Sequence, residues 1–143
     1  MSSIIALSEA ASIAIHSLVL IARSEGMLNV IQISEATGSS KHHIAKVLQR
    51  LVKDGFLSSN RGPSGGFVMK KKPEDITLLD IYEAIEGKIE ITKCPMDNPV
   101  CPFDKCLMGN ILQKLTAELR NYLAGQALKE FMGVRLDLDD KQQ

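Results

Sequence analysis

Several features that mark other classes of protein are missing from this 143-residue chain. Tryptophan is absent, aromatic residues make up 4% and proline occurs five times. No basic segment followed by an apolar run and a cleavage site stands at the N-terminus, so no secretory signal peptide is predicted. The apolar run over residues 4–22 favours a buried amphipathic helix over a membrane span. Polar residues interrupt it at Ser8, Glu9, Ser12, His16 and Ser17. We therefore expect a helix-rich protein without a membrane partner.

Motifs of catalysis are missing as well. The sequence contains no HExxH, Rossmann or Walker pattern and no recognisable pairing of a nucleophile with a base. The hexamer RGPSGG at positions 61–66 is rich in glycine, but it lacks the GxxxxGK[ST] spacing of a phosphate loop. The missing motifs therefore predict that the protein is not an enzyme.

Charge of either sign is not in excess, because 17 basic residues balance 17 acidic ones. The distribution is uneven, however. The segment from Lys41 to Lys72 contains eight lysines and arginines but only one acidic residue, Asp54. Such a basic stretch is typical of a face that binds phosphates, although a solvated charged helix is the alternative.

Helical periodicity and capping residues predict a helix-turn-helix in the same region. A first helix is expected from about Ser8 to Arg23, and a short second helix from the N-cap Asn29 to Thr37. Gly38 makes the turn, and Ser39 or Ser40 caps the third helix. Helix, short glycine-containing turn and helix is the DNA-binding arrangement, in which the second helix of the pair enters the major groove.

An extended segment follows Gly55, and RGPSGG separates FLSS from FVMK as the tip of a hairpin. This hairpin is typical of a wing that places Arg61 along or in a minor groove. We expect Gly65 and Gly66 to resist substitution if the hairpin needs positive φ there. The residues predicted to contact DNA are Ser40, Lys41, His42, His43, Lys46, Arg50, Arg61, Ser64 and Gly65.

Cysteine is scarce, and its three copies are confined to one stretch of thirteen residues. Cys94, Cys101 and Cys106 lie on a proline-containing segment, CPMDNPVCPFDKC. Three soft ligands in a short loop suit an iron–sulfur cluster or zinc. The alternative is that they are free redox-active thiols without a metal. The odd count and the missing signal peptide predict reduced thiols in the cytoplasm.

The runs ISEATGSSKHHIAK and VLQRLVKDGFLSSNRGPSGGFVMKK, with ITLLDIYEAIEG after them, resemble the IscR/NsrR-type family of bacterial winged-helix transcriptional regulators. The resemblance extends from about Leu7 to Phe131. It implies a homodimeric repressor or activator that binds operator DNA, with a 2Fe–2S or 4Fe–4S cluster on the three cysteines. Here the cysteines are separated by six and four residues, whereas better-known members have five and five.

The resemblance also implies a fourth ligand from elsewhere, in some members from the first helix. The corresponding positions here are Ser12, an improbable ligand, and His16. His16 and Glu9 are therefore the candidates, while Asp97 and Asp104 are rival oxygen donors within the loop. A lone histidine among apolar neighbours is, alternatively, a hydrogen-bonded core or interface residue.

The chain after Cys106 has a wide apolar stripe, which predicts one long helix over 107–131. Pairing with the same helix of a second subunit would bury the stripe, and packing against the first helix of its own subunit is the alternative. The predicted fold is mainly α with a small β wing, in four parts. These are a winged helix-turn-helix domain over 1–89, a cluster loop over 90–106, a dimerisation helix over 107–132 and a flexible tail over 133–143.

The resulting hypothesis is a transcriptional regulator whose operator affinity depends on an iron–sulfur cluster that senses redox state, nitric oxide or iron and cluster supply. The alternatives are a regulator that holds zinc or senses thiol oxidation without a cluster, and a metal protein that does not bind DNA. The wing and the basic stretch favour DNA binding over the last of these.

Overall fold

Capped helices build the N-terminal part of the protein. The computed structural model describes residues 6–91 and 102–136. Its first three helices are α1 (Glu9–Arg23), α2 (Val30–Thr37) and α3 (Lys41–Lys53). Ser8, Asn29 and Ser40 cap them, each with a side-chain oxygen that accepts from a backbone N–H in the first turn. The three predicted helices are confirmed, as are the predicted cap Asn29 of α2 and, of the two candidates for α3, Ser40.

The turn between α2 and α3 has the left-handed backbone that its glycine permits. Gly38 has φ of 76° and donates its N–H to the Ser34 carbonyl oxygen at 2.8 Å. The Ser34 hydroxyl donates to the Ser39 carbonyl oxygen at 2.7 Å, which closes the turn. These bonds fix the direction in which α3 leaves α2.

One apolar core lies beneath these helices. α1 packs against α3 and against α4 (Leu78–Glu86), and the facing side chains are fully buried. With residues from α2, β1 and the segments beside α4 and after α5, they form the core, whose largest fully buried apolar side chains are Leu18, Ile33, Ile44, Leu48, Leu51, Leu57, Ile76, Ile81 and Leu128. Burial of each such side chain is worth about 1.5–3 kcal/mol, so the core holds α3 firmly in place.

A two-stranded hairpin follows α3. Strands β1 (Leu57–Asn60) and β2 (Gly66–Met69) are antiparallel, with Leu57 opposite Met69 and Asn60 opposite Gly66. Leu28, between α1 and α2, pairs with Phe67 through two backbone hydrogen bonds of 3.2 and 2.7 Å. The hairpin is thus attached to the helical core along β2.

The helix after the cysteine segment is shorter than predicted. α5 covers Ile111–Gly125 instead of 107–131, and a separate 3₁₀ helix covers Leu128–Phe131. Gly109 and Asn110 have left-handed φ of 61° and 60°, which prevents the helix from starting earlier. After Gly125 the chain instead pairs with residues 76–78, because Leu78 N–H donates to Gln126 O and Leu128 N–H to Ile76 O.

Among residues 6–91 and 102–136, no helix has the length and apolar character needed to cross a bilayer.

Candidate nucleic-acid interface and thiol centre

The third helix presents opposite faces to the core and to solvent. Ile44, Val47, Leu48 and Leu51 are buried on one side. The exposed residues on the other side are Lys41, His42, Lys46, Gln49, Arg50 and Lys53. Five of these six are cationic or imidazole side chains, so the exposed side of α3 has the chemistry of a phosphate- and base-binding surface.

Two of the residues predicted to contact DNA have further roles in the structure. The Ser40 hydroxyl accepts from the backbone N–H of His43 at 3.1 Å, so it also caps α3. The His43 side chain is only 34% exposed, and its Nδ1 lies 3.4 Å from Oε1 of Glu9 on α1. This contact could not be predicted from the sequence, because a separation of 34 residues corresponds to no helical or strand periodicity.

The hairpin tip projects from the same domain. Arg61, Pro63 and Ser64 are exposed, and Gly65 is half-buried. Lys70, Lys71 and Lys72 follow β2, and the Lys71 ammonium lies 4.4 Å from the centre of the Phe56 ring. The tip and base of the hairpin therefore add further exposed cations to the domain that contains α3.

The glycines of the wing are constrained for a different reason from the predicted one. Positive φ occurs at Gly62, with 109°, and not at Gly65 or Gly66. A Cβ on Gly65 would lie 2.2 Å from the Asn60 carbonyl oxygen, and one on Gly66 would lie 2.6 Å from that of Leu28. The condition of positive φ is not met at these two positions, and close approach of backbone to backbone is what excludes a side chain.

The two candidate ligands on α1 face the same groove. This groove, of about 720 Å³, is lined by Glu9 and His16 together with the end of α2 and residues 131–136. His16 is exposed, and its Nδ1 makes a 2.7 Å hydrogen bond with the Ser12 carbonyl oxygen. The histidine is hydrogen-bonded, as the alternative reading required, but in this chain it does not belong to the core.

The cysteine segment is described only at its end. Cys94, Cys101 and Asp97 lie outside the described residues. Cys106 is a half-buried free thiol whose carbonyl oxygen accepts from Gly109 N–H at 3.1 Å, and Asp104 is exposed. Within the described ranges, no three His, Cys, Asp or Glu side chains come together as a metal site. Cys106 precedes α5 directly and Cys94 follows α4, so the thiols lie on the connection between these two helices.

The sequence of this chain is similar to those of known transcriptional regulators. A sequence profile of the Rrf2 family, described as iron-dependent transcriptional regulators, matches residues 7–133. The HTH-type transcriptional regulator IscR of Photorhabdus laumondii is 28% identical over 127 residues, which cover 89% of this chain and 74% of that protein.

Two solved structures are similar in fold. CymR, the global cysteine regulator of B. subtilis, superposes with a TM-score of 0.74 and 19% identity, covering 92% of this chain and 99% of that one. IscR of T. potens superposes with a TM-score of 0.71 and 21% identity, covering 97% and 92%. On the match over residues 7–133, the chain belongs to the Rrf2 family and is a winged-helix transcriptional regulator rather than an enzyme.

Proposed function

We propose that this regulator binds operator DNA as a homodimer and that an iron–sulfur cluster on Cys94, Cys101 and Cys106 controls its affinity. The observation that carries the proposal is the confinement of all three thiols to thirteen residues between the winged-helix domain and α5. A cluster there would lie between the DNA-binding domain and α5, the helix through which we expect the two subunits to associate. The finding that IscR proteins are among the relatives supports the same reading.

The donor set fits such a group. Thiolates are the ordinary ligands of iron in these clusters, and Cys106 is a free thiol that the fold leaves half-buried. The segment also carries Pro95, Pro99 and Pro102 in its sequence. When bound, the cluster would supply a centre whose oxidation state or integrity responds to oxidants, nitric oxide or iron supply. We place its action in the cytoplasm, where thiols stay reduced.

We propose His16, rather than Glu9, as the fourth ligand. A metal-binding histidine commonly makes a hydrogen bond through one ring nitrogen and uses the other for the metal. Bonding of Nδ1 to the Ser12 carbonyl oxygen leaves the Nε2 of His16 for this use, on an exposed side chain. Glu9 instead has a cationic or polar partner in His43.

The proposed DNA surface consists of the exposed side of α3 and the wing. Lys41, His42 and Lys46 would lie in the major groove with His43 at their edge, and Arg50 would reach the phosphates. From the wing, Arg61 would enter a narrow minor groove, where Ser64 and Gly65 pass close to the backbone of the DNA. The burial of the opposite side of α3 supports this orientation, because the buried side is unavailable to DNA.

The proposed dimer uses the apolar side of α5. In the described part of the chain, α5 packs against α4 and buries only Leu123 completely, while several large apolar side chains of the helix and its approach are exposed. They are Leu107, Met108, Ile111, Leu115, Leu119 and Tyr122. A second copy of the helix is the simplest cover for this surface, and a two-fold dimer matches a pseudo-palindromic operator.

The experiment that tests the proposal is anaerobic purification, followed by iron and sulfide analysis and absorption spectroscopy. The parent protein should contain both elements, and Cys106→Ala should contain neither while remaining a folded dimer. Asp104→Asn is the matched control, because Asp104 is an exposed neighbour with an oxygen donor, and it should retain the cluster.

DNA binding completes the test. On duplexes that the parent selects from a random pool, Cys106→Ala should differ from the parent by at least several-fold, about 1 kcal/mol of coupling. If the purified protein contains zinc and no sulfide, the regulator holds zinc in place of an iron–sulfur cluster. Equal anaerobic affinities for the parent and for all three single cysteine variants would refute regulation through the thiols and leave only DNA binding.

A further inference from the structure

A contact between α1 and α3 connects a helix outside the helix-turn-helix to the recognition helix. Oε1 of Glu9 lies 3.4 Å from Nδ1 of His43. The carboxylate is on the largely exposed first residue of α1, and the imidazole is on the third residue of α3. Because a carboxylate only accepts hydrogen bonds, the two groups attract each other when Nδ1 carries a proton, as it does in the imidazolium and in the neutral Nδ1–H tautomer.

Both ends of this contact are held in place by the backbone. Ser8 caps α1 by accepting from Ala11 N–H at 3.1 Å, and its hydroxyl donates to Oε1 of Glu86 at the end of α4. The start of α1, from which the Glu9 side chain extends, is therefore held from two sides. On α3, the backbone N–H of His43 is bonded to the Ser40 hydroxyl, so that only the histidine side chain is free to turn.

The position of His43 on α3 makes its orientation relevant to DNA. His43, Lys46 and Arg50 follow one another at intervals of three and four residues, so they lie along one side of the helix. Lys46 and Arg50 are exposed, whereas His43 lies at the border between the exposed side and the core. When Nδ1 faces Glu9, Nε2 on the far side of the ring points away from that carboxylate, and the side chain is 34% exposed.

We propose that Glu9 is a positioning residue for DNA recognition: its carboxylate holds the ring of His43 so that Nε2 takes part in base discrimination. Without the carboxylate, the imidazole has several rotamers, and the polar contact to a base must first select one of them. This inference rests on the proposed position of α3 in the major groove. It adds to the interface a residue from a helix that does not itself contact the bases.

A double-mutant cycle on Glu9 and His43 tests the proposal. The variants are Glu9→Gln, His43→Ala and the two combined. For each protein, affinities are measured for a duplex that the parent selects from a random pool and for a shuffled duplex, at several salt concentrations. Glu25→Gln is the matched control, since it removes one exposed negative charge beyond the opposite end of α1.

Glu9→Gln should lower the ratio of selected to shuffled affinity by about three- to five-fold, the upper range for one exposed charged pair. It should have no effect on this ratio when His43 is already alanine, because the partner is then missing. Glu25→Gln should leave the ratio within about two-fold of the parent. Glu9 is exposed, so thermal melting of Glu9→Gln should match the parent and exclude a folding defect.

Three results would overturn the positioning role. One is that Glu9→Gln raises the affinity for both duplexes equally, whether residue 43 is histidine or alanine. This result would mean that Glu9 acts only by repelling phosphates. Another is an undiminished loss of discrimination in the His43→Ala background. The third is a His43→Ala protein that discriminates like the parent. In that case the Lys46 and Arg61 variants described below decide separately whether α3 and the wing bind DNA at all.

Discussion

Replacement of Gly66 by alanine should detach the wing from the helical core. Gly66 begins β2, directly before the residue that pairs with Leu28. A Cβ at this position would lie 2.6 Å from the Leu28 carbonyl oxygen, 2.9 Å from its carbon and 3.2 Å from Cβ of Met27. Two of these three atoms belong to the backbone, so rotation of a side chain cannot relieve the overlap.

The cost can be worked out from the two hydrogen bonds that would have to open. To reach an ordinary contact of 3.4 Å, β2 must move about 0.8 Å away from Leu28. The bond from Leu28 N–H to Phe67 O is already 3.2 Å long and would be lost, and the reverse bond of 2.7 Å would lengthen to about 3.5 Å, beyond ordinary hydrogen-bond length, so that it would be lost as well. At about 1 kcal/mol for each bond, the free energy of unfolding should fall by about 2 kcal/mol. For a chain of this length the melting temperature should fall by about 6–8 °C.

Thermal unfolding at a fixed protein concentration measures the effect, and Gly26→Ala is the matched control. No described atom lies within 4 Å of a Cβ at Gly26, and its φ is not left-handed, so this substitution should be neutral or slightly stabilising. Gly66→Ala should also bind DNA more weakly, because the wing carries Arg61. A Gly66→Ala protein that melts within about 2 °C of the parent would show that the close pairing of Leu28 with β2 is wrong.

Three further predictions concern the interface and the assembly. Lys46→Ala should weaken binding to all DNA sequences and flatten the slope of log affinity against log salt by about one unit, and an unchanged slope would remove Lys46 from the phosphate contacts. Arg61→Ala should lower operator affinity, most strongly where the minor groove is narrow, and affinity equal to that of the parent would refute the wing assignment. Leu119→Asp should convert the dimer to monomer in sedimentation experiments, since it buries a charge in an apolar pairing, whereas Glu118→Gln on the same helix should not. A Leu119→Asp protein that remains dimeric would place the subunit interface elsewhere.

Much of the winged-helix domain could be predicted because its signals are local. Ser8, Asn29 and Ser40 each accept from a backbone N–H three residues ahead, and such short-range bonds depend on the sequence alone. The apolar side of α3 follows from helical periodicity in the same way. The ends of α5 were predicted less well, because its C-terminal limit is set by pairing with residues 76–78, far away along the chain.

The features of the candidate site could likewise be predicted where they are local in the sequence, and could not be predicted where they join distant residues. Three thiols within thirteen residues and a basic stretch around α3 are properties of the sequence, and they predict a metal site and a DNA-binding surface. The reason why Gly66 excludes a side chain, and the contact of Glu9 with His43, appear only after folding. Each joins residues that are between 34 and 39 positions apart, and no periodicity connects such pairs.

The sequence by itself determined the helices, their caps, the hairpin and the chemical types of side chain on each, since these depend on backbone preferences and on neighbours within about one helical turn. Only the tertiary structure decided which residues meet. Core packing brings the start of α1 against α3 and the segment before α2 against β2. The orientation of His43 and the attachment of the wing therefore depend on how several helices bury their apolar sides together, which is a property of the whole fold.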